Sequence, residues 1–425
     1  MIKTCLMISL LSFLAGASAF GSLRSEVSSG RAIALNYLVV PKTGFEGLAI
    51  ELKIEGVDMA PAQMLVDVGS SSMSFCPGFL PDDLPDAWRT DYNQCNEYGM
   101  AQVDLPPSCP PLSDGNVYSA EFYSGDVYQS PVVACNASSI ADAFTMPEAY
   151  YTVMEYQSGM TCDGGFRGIF GVAFKSGNTA ALSGPSGKPT FQHCTDPKSK
   201  AENGEIGACL EPMTHPLPSA LHEELAQVDE QRFGIYVNFS IPVTGSLTYD
   251  RGMLYTGPMA IENAIYRSGE SALITQTYPR VYQLPTEGSH WSFAVNEVYV
   301  GNKVVPRPVP SPANGLGTSW CPLGGSCFVD SGRDNIVLPF QVCEAIGEAD
   351  ASADINLSIM AGVGIVQNLT IPVEALIVLK DYWETACSYP TKGQSDLFVL
   401  GLPVWSLFYI KFDDILDTIE FVRLP

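Results

Sequence analysis

Two short segments of this sequence carry residue types suited to proton transfer: Asp67-Val-Gly-Ser and Asp330-Ser-Gly-Arg. In each, an apolar run (Met64-Leu-Val and Cys327-Phe-Val) leads into an aspartate. The glycine two residues later lets the chain turn tightly, so the carboxylate projects at the turn. A carboxylate placed there can take a proton from a reacting group or give one to it. One such tetrad by itself carries almost no information. Here there are two, each after an apolar strand and each followed downstream by an apolar pair and a glycine, Ile169-Phe170-Gly171 and Val399-Leu400-Gly401. Other chemistries find less support. The four histidines, His193, His215, His222 and His290, have no metal-ligand spacing and read as surface or loop residues, so no metal or other cofactor is expected. A Ser/His/Asp triad finds no nucleophile elbow.

The elements that must position the two aspartates occur twice. In the first half, Leu48-Ala-Ile-Glu-Leu-Lys-Ile-Glu-Gly-Val alternates with a period of two, as a half-buried strand does, and a turn at Met59-Ala-Pro-Ala leads into the first aspartate strand. In the second half, Trp291-Ser-Phe-Ala-Val-Asn-Glu-Val-Tyr-Val is the alternating strand before Asp330. Between the halves, apolar residues at helical spacing predict a short helix within Leu217 to Val228, and Phe233-Gly-Ile-Tyr-Val-Asn-Phe leads into the second half. Lys175 to Pro216, rich in Gly, Pro and Ser, reads as a surface insertion that a Cys194–Cys209 pair could close, and Pro306-Arg-Pro-Val-Pro-Ser-Pro as a rigid loop.

The 425 residues suffice for two domains, and 38 Gly and 31 Pro with 46% hydrophobic residues suit many short strands joined by turns, an all-β class. A formal charge of −24 argues against nucleic-acid or anionic-membrane partners. Lys3, the apolar run from Cys5 to Ala15 and Ala17-Ser18-Ala19 before Phe20 form a signal-peptide pattern, too short to span a membrane. No later stretch has spanning length, so no membrane anchor is expected. Eleven cysteines remain after Cys5, at least one of them without an intrachain partner, and four N-x-[ST] sequons lie at Asn136, Asn238, Asn356 and Asn368. Both features fit the secretory pathway, with a secreted or vacuolar, lysosome-like destination. An alternative is a complex plastid, because Ala-Ser-Ala-Phe followed by the acid-poor stretch to Arg31 resembles the bipartite leaders of algae with such plastids.

From about Leu48 to the C-terminus the residues resemble the pepsin family of aspartic proteases. Besides the two Asp motifs, Gly168-Ile-Phe-Gly-Val-Ala-Phe is similar to that family's Gly-Ile-Leu-Gly-Leu-Ala-Tyr element, and Phe398-Val-Leu-Gly-Leu-Pro-Val-Trp-Ser-Leu-Phe-Tyr-Ile-Lys-Phe-Asp to the strand, turn and strand near its C-terminus. The resemblance implies a bilobal acid-protease fold of two related six-stranded, barrel-like lobes with a few short helices. The expected organisation is a signal peptide at 1–19, a linker or short leader at 20–35, an N-terminal lobe at 36–230 and a C-terminal lobe at 231–425. It also implies catalytic Asp67 and Asp330, supported by Gly69, Ser70, Ser331 and Gly332, and disulfides of Cys321 with Cys327 and Cys343 with Cys387. Counting back from Gly125 places the family's flap tyrosine at Tyr118, with Tyr123 as the alternative. The implied reaction is hydrolysis of a polypeptide in the cleft of a monomer, at acid pH, by water activated between carboxyls that share a proton.

The sequence departs from the family pattern at several places. Val68 stands where a threonine hydroxyl ties the two Asp loops together, and only Ser331 keeps a hydroxyl for that purpose. Arg333 replaces a Ser or Thr that hydrogen-bonds the second carboxylate, and a cation there favours ionisation of both aspartates. Ser74 stands where a tryptophan supports the flap tyrosine, and the stretch from Ala19 to Ile33 is too short for a basic pro-segment. Two readings follow. One is an active aspartic endopeptidase. The other is a catalytically impaired homologue acting as a binding or inhibitor protein, like the plant xylanase-inhibitor relatives of pepsin. A secreted structural or cell-surface role is a third.

Overall fold

The computed structural model describes residues 30–39, 46–81, 83–101, 118–135, 144–158, 162, 165–182, 191–195, 205–225, 231–240, 248–261, 275–279, 290–293, 295–306, 320, 327–333, 336–348, 356–361, 367–372 and 398–424. Strands dominate, as the all-β reading expects. Seventeen form one continuous hydrogen-bonded network, four a second sheet and two a third. The helices are short, among them Ala220–Leu225 and Phe340–Glu348. The first lies inside the predicted 217–228 segment and begins late because Pro216 and Pro218 hold the residues before them extended.

The strand Glu46–Ile54 shows why period-two patterning matters. Leu48, Ile50, Leu52 and Ile54 are fully buried, while Glu51 and Lys53 alternate with them half-exposed. It pairs antiparallel with Ala62–Asp67, which in turn runs parallel to Gly168–Gly171, with Leu65 opposite Ile169 and Asp67 opposite Gly171. An interior strand in a parallel pairing has no wet face, and this accounts for the unbroken apolar run Met64-Leu65-Val66. The second half repeats the arrangement: Cys327–Val329 runs parallel to Phe398–Leu400, with every residue of both strands buried.

One strand, Ala32–Val39, links the halves. Its residues 32–35 pair with 252–255 of the second half, and its residues 36–39 pair with 46–49 of the first. The halves also share an aromatic core. Trp291 is fully buried, its ring centroid 5.6 Å from that of Phe174 and 5.1 Å from that of Phe412, and its Nε1–H donates to the Val172 carbonyl at 3.3 Å. Phe174 also meets His222 edge-on, and His222 approaches the buried Asp414, Nε2 to Oδ2 3.5 Å.

The segment from Lys175 to Pro216 is more ordered than a surface insertion. It contains the strands Thr179–Leu182, Phe191–Thr195, Glu205–Cys209 and His215–Pro216. Nor is it closed by Cys194 and Cys209. The hairpin register sets Cys194 opposite Ile206 and Cys209 opposite Phe191, three rungs apart, about 10 Å and beyond disulfide reach. Cys209 bonds instead to Cys95, and Cys76 to Cys162. Cys327 and Cys343 are also disulfide-bonded, but their expected partners, Cys321 and Cys387, lie outside the described residues.

Truncating Trp291 removes the largest side chain at the junction. Trp291→Ala should lower the free energy of unfolding by about 3–5 kcal/mol, measured by chemical denaturation. Leu416→Ala, at a 62% exposed turn position, should stay within about 0.5 kcal/mol of the parent.

Candidate active site

The parallel strand pairs deliver Asp67 and Asp330 to the same place. Val172 N–H donates to the Asp67 carbonyl at 2.8 Å, and Asp330 N–H to the Leu400 carbonyl at 3.0 Å, so each aspartate is pinned to the strand beside it. Each carboxylate then accepts from the amide two residues on: Gly69 N–H to Asp67 Oδ1 at 2.7 Å and Gly332 N–H to Asp330 Oδ1 at 2.8 Å. The residues are only 7% and 8% exposed, and each carboxylate lies against the glycine of the opposite loop. The glycines are required by that approach. A Cβ on Gly69 would lie 2.6 Å from Asp330 Oδ1 and one on Gly332 2.5 Å from Asp67 Oδ1, closer than any side chain can stand.

A single hydroxyl couples the two loops. Ser331 is completely buried; its Oγ–H donates to the Val66 carbonyl at 2.7 Å and its oxygen accepts Val68 N–H at 3.1 Å. Val68, equally buried, packs where a second hydroxyl would complete a symmetric tie. Ser70 is buried too, and its carbonyl accepts Ala173 N–H at 2.7 Å, while Ser71 Oγ–H donates to the Phe174 carbonyl at 2.8 Å. These bonds fasten the first loop to the chain following Gly171.

The proton affinity of Asp330 is raised well above the ordinary carboxylate range. Burial is the largest cause and the neighbouring Asp67 charge the next; Arg333 and the Gly332 amide oppose them. Arg333 turns toward the dyad: its Nε lies 3.5 Å from Asp330 Oδ2, with the side chain 41% exposed.

The flap expectation divides. The strands Arg89–Ala101 and Tyr118–Cys135 pair as a hairpin, with Ala101 opposite Tyr118 beside the connection. Tyr118 thus occupies the hairpin's far end, and its side chain lies outside the described residues. Tyr123, the alternative, is fully buried: its hydroxyl hydrogen-bonds Ser72 Oγ and accepts from Asn96 Nδ2, and Asn96 also donates to Ser72 Oγ at 3.0 Å. This trio joins the hairpin to the Asp67 loop. Asn96 and Ser72 have no local sequence signal, since only the pairing of the two hairpin strands sets Asn96 opposite Tyr123. Ser74, where a supporting tryptophan was expected to be missing, is fully buried in the strand Met73–Phe75.

No protein-family model matches the sequence, and no curated protein does. Among solved structures, the aspartic proteinase from Irpex lacteus superposes with a TM-score of 0.54 at 15% identity, covering 93% of this chain and 98% of its own. At that identity the likeness is one of fold. The chain has the bilobal, all-β fold of the pepsin-like aspartic proteinases.

Two outcomes follow that need no activity. Ser331→Ala strips partners from the buried Val66 carbonyl and Val68 amide and should cost about 1–3 kcal/mol in unfolding free energy. Because folding raises the pKa of Asp330, its contribution to stability is complete below the unfolded carboxyl value, about 3.9, and fades as pH rises through the higher folded value. Asp330→Asn should therefore be more stable than the parent at neutral pH, with the advantage shrinking on acidification in pH-dependent denaturation.

Proposed function

We propose that this chain is an aspartic endopeptidase. The observation that carries the reading is the pair of buried carboxyls, each set against the opposite loop's glycine and capped by the amide of its own, one of them with a raised proton affinity. Such a pair holds one proton between them over a range of pH and titrates as a unit. The ionised carboxylate takes a proton from water as its oxygen attacks the scissile carbonyl carbon, and the protonated partner gives its proton to the carbonyl oxygen. Collapse of the tetrahedral species breaks the C–N bond, with a carboxyl proton passing to the departing amine. The raised affinity of Asp330 favours Asp67 as base and Asp330 as acid. Loss of the shared proton as pH rises gives an acid optimum.

The substrate class is a polypeptide in the cleft between the lobes, bound by a monomer, with Tyr118 on the covering hairpin. The disulfides fit a secreted or vacuolar setting. Among the described residues no helix is long and apolar enough to cross a membrane. A second reading, a binding or inhibitor protein on the same scaffold, is favoured by one observation, the Arg333 cation beside Asp330, which opposes the shared proton.

The purified protein, incubated with an unfolded protein substrate at about pH 3 to 6, should produce internal cleavages that pepstatin blocks. Asp67→Asn should lower the rate about a thousandfold while remaining folded by circular dichroism. Absence of pepstatin-sensitive cleavage by the folded parent at every pH would overturn the endopeptidase reading in favour of the binding protein.

A further inference from the structure

We infer that Arg333 sets the alkaline limit of the dyad's working range, drawing it to lower pH than the two buried aspartates would have with a neutral residue at that position. The inference deepens the proteolytic reading and rests on it. The geometry divides the second carboxylate into two sides. Oδ1 accepts the Gly332 amide at 2.8 Å, whereas Oδ2 faces Arg333 Nε at 3.5 Å. The guanidinium therefore acts on the oxygen that the loop amide does not reach, and it stays charged at every pH at which a protein is folded.

Among the described residues, the charged groups that act on Asp330 are Asp67 from the opposite loop and Arg333 from its own. Among the described residues, the strands packed around the dyad add none: Phe398-Val-Leu, Met64-Leu-Val and Gly168-Ile-Phe-Gly-Val-Ala-Phe contain no titratable side chain. Two opposed charges thus set the affinity of Asp330 for the shared proton, against a background of burial. Asp67 strengthens it and Arg333 weakens it. A neutral hydroxyl at position 333 could hydrogen-bond the carboxylate but would bring no net charge. As pH rises, the proton leaves sooner with the arginine present, and the singly protonated dyad needed for catalysis disappears at lower pH. The arginine is 41% exposed, so solvent and salt screen its field, and it trims the range without abolishing the proton.

The test compares the pH dependence of kcat/KM for the parent, Arg333→Thr, Arg333→Gln and Arg333→Lys, each checked for an unchanged thermal midpoint. In the two neutral variants the alkaline limb should move to higher pH, so that activity relative to each variant's own optimum rises several-fold at the parent's half-maximal point. Lysine, which keeps the charge, should hold the limb near the parent's position whatever its rate. High salt should move the parent's limb toward that of the neutral variants. A limb unmoved in both neutral variants, or displaced as far by lysine as by threonine, would overturn the inference. An independent arm follows the Asp330 carboxyl directly by ¹³C NMR titration, the resonance being assigned by its loss in Asp330→Asn. Its midpoint should be higher in Arg333→Thr than in the parent, and coincident midpoints would overturn the inference. If the parent cleaves nothing, the endopeptidase reading fails alone, and this titration still decides the role of Arg333.

Discussion

Two carboxylates buried side by side inside a protein cannot both carry charge without large cost, and much of this molecule is arranged to keep them there. Asp67 and Asp330 come from strands more than two hundred and fifty residues apart in sequence, yet the Cβ of an alanine at either neighbouring glycine would strike the carboxylate opposite. That degree of approach has to be imposed by the surroundings, because the pair itself resists it. A proton held by the pair would relieve the resistance, and the proposed chemistry draws on it.

The imposition comes from contacts within each half and from others that cross between them. The parallel strands Gly168–Gly171 and Phe398–Leu400 fix where each aspartate leaves its sheet. Ser331 reaches across to the backbone on both sides of Asp67, touching Val66 and Val68. Trp291 reaches from the second half to the Val172 carbonyl, and the Val172 amide holds the Asp67 carbonyl, so the aromatic core and the dyad are two bonds apart. The strand Ala32–Val39, shared between both halves, ties them again at the back. With Val68 in place of a hydroxyl, the loop-to-loop tie among the described residues runs through Ser331, and the remaining bracing falls to packing and to the Ser70 and Ser71 contacts with the chain after Gly171.

The hairpin that would cover the site is fastened in its own way. Tyr123, Asn96 and Ser72 bind its two strands to the Asp67 loop, and the Cys95–Cys209 disulfide binds it to the hairpin of residues 191–209. Both attachments lie well below the hairpin's far end, where Tyr118 begins the returning strand. A buried tyrosine hydroxyl needs a partner, and here the partner is a serine five residues beyond Asp67, so the position of the hairpin and that of the loop are set by one small polar cluster.

The two Asp-x-Gly motifs, the apolar runs before them and the apolar-apolar-Gly segments after them were legible from residue order, because a tight turn, a strand buried on both faces and a strand alternating between core and solvent each demand particular residue types at fixed intervals. From these the all-β class and the two aspartates could be read, and the doubled pattern pointed to two similar halves. Tertiary structure alone decided the rest. Cys209 bonds to Cys95 because hairpin register carries Cys194 out of reach; Tyr123 is interior because its strand packs against the first loop; and Arg333 faces Asp330 Oδ2 because the chain turns back on itself through Gly332. Local sequence specifies which conformations a segment prefers, whereas the distance between two side chains remote in the chain is set by packing that no segment contains. The closeness of Asp67 and Asp330, on which the proposed chemistry rests, is a property of that packing.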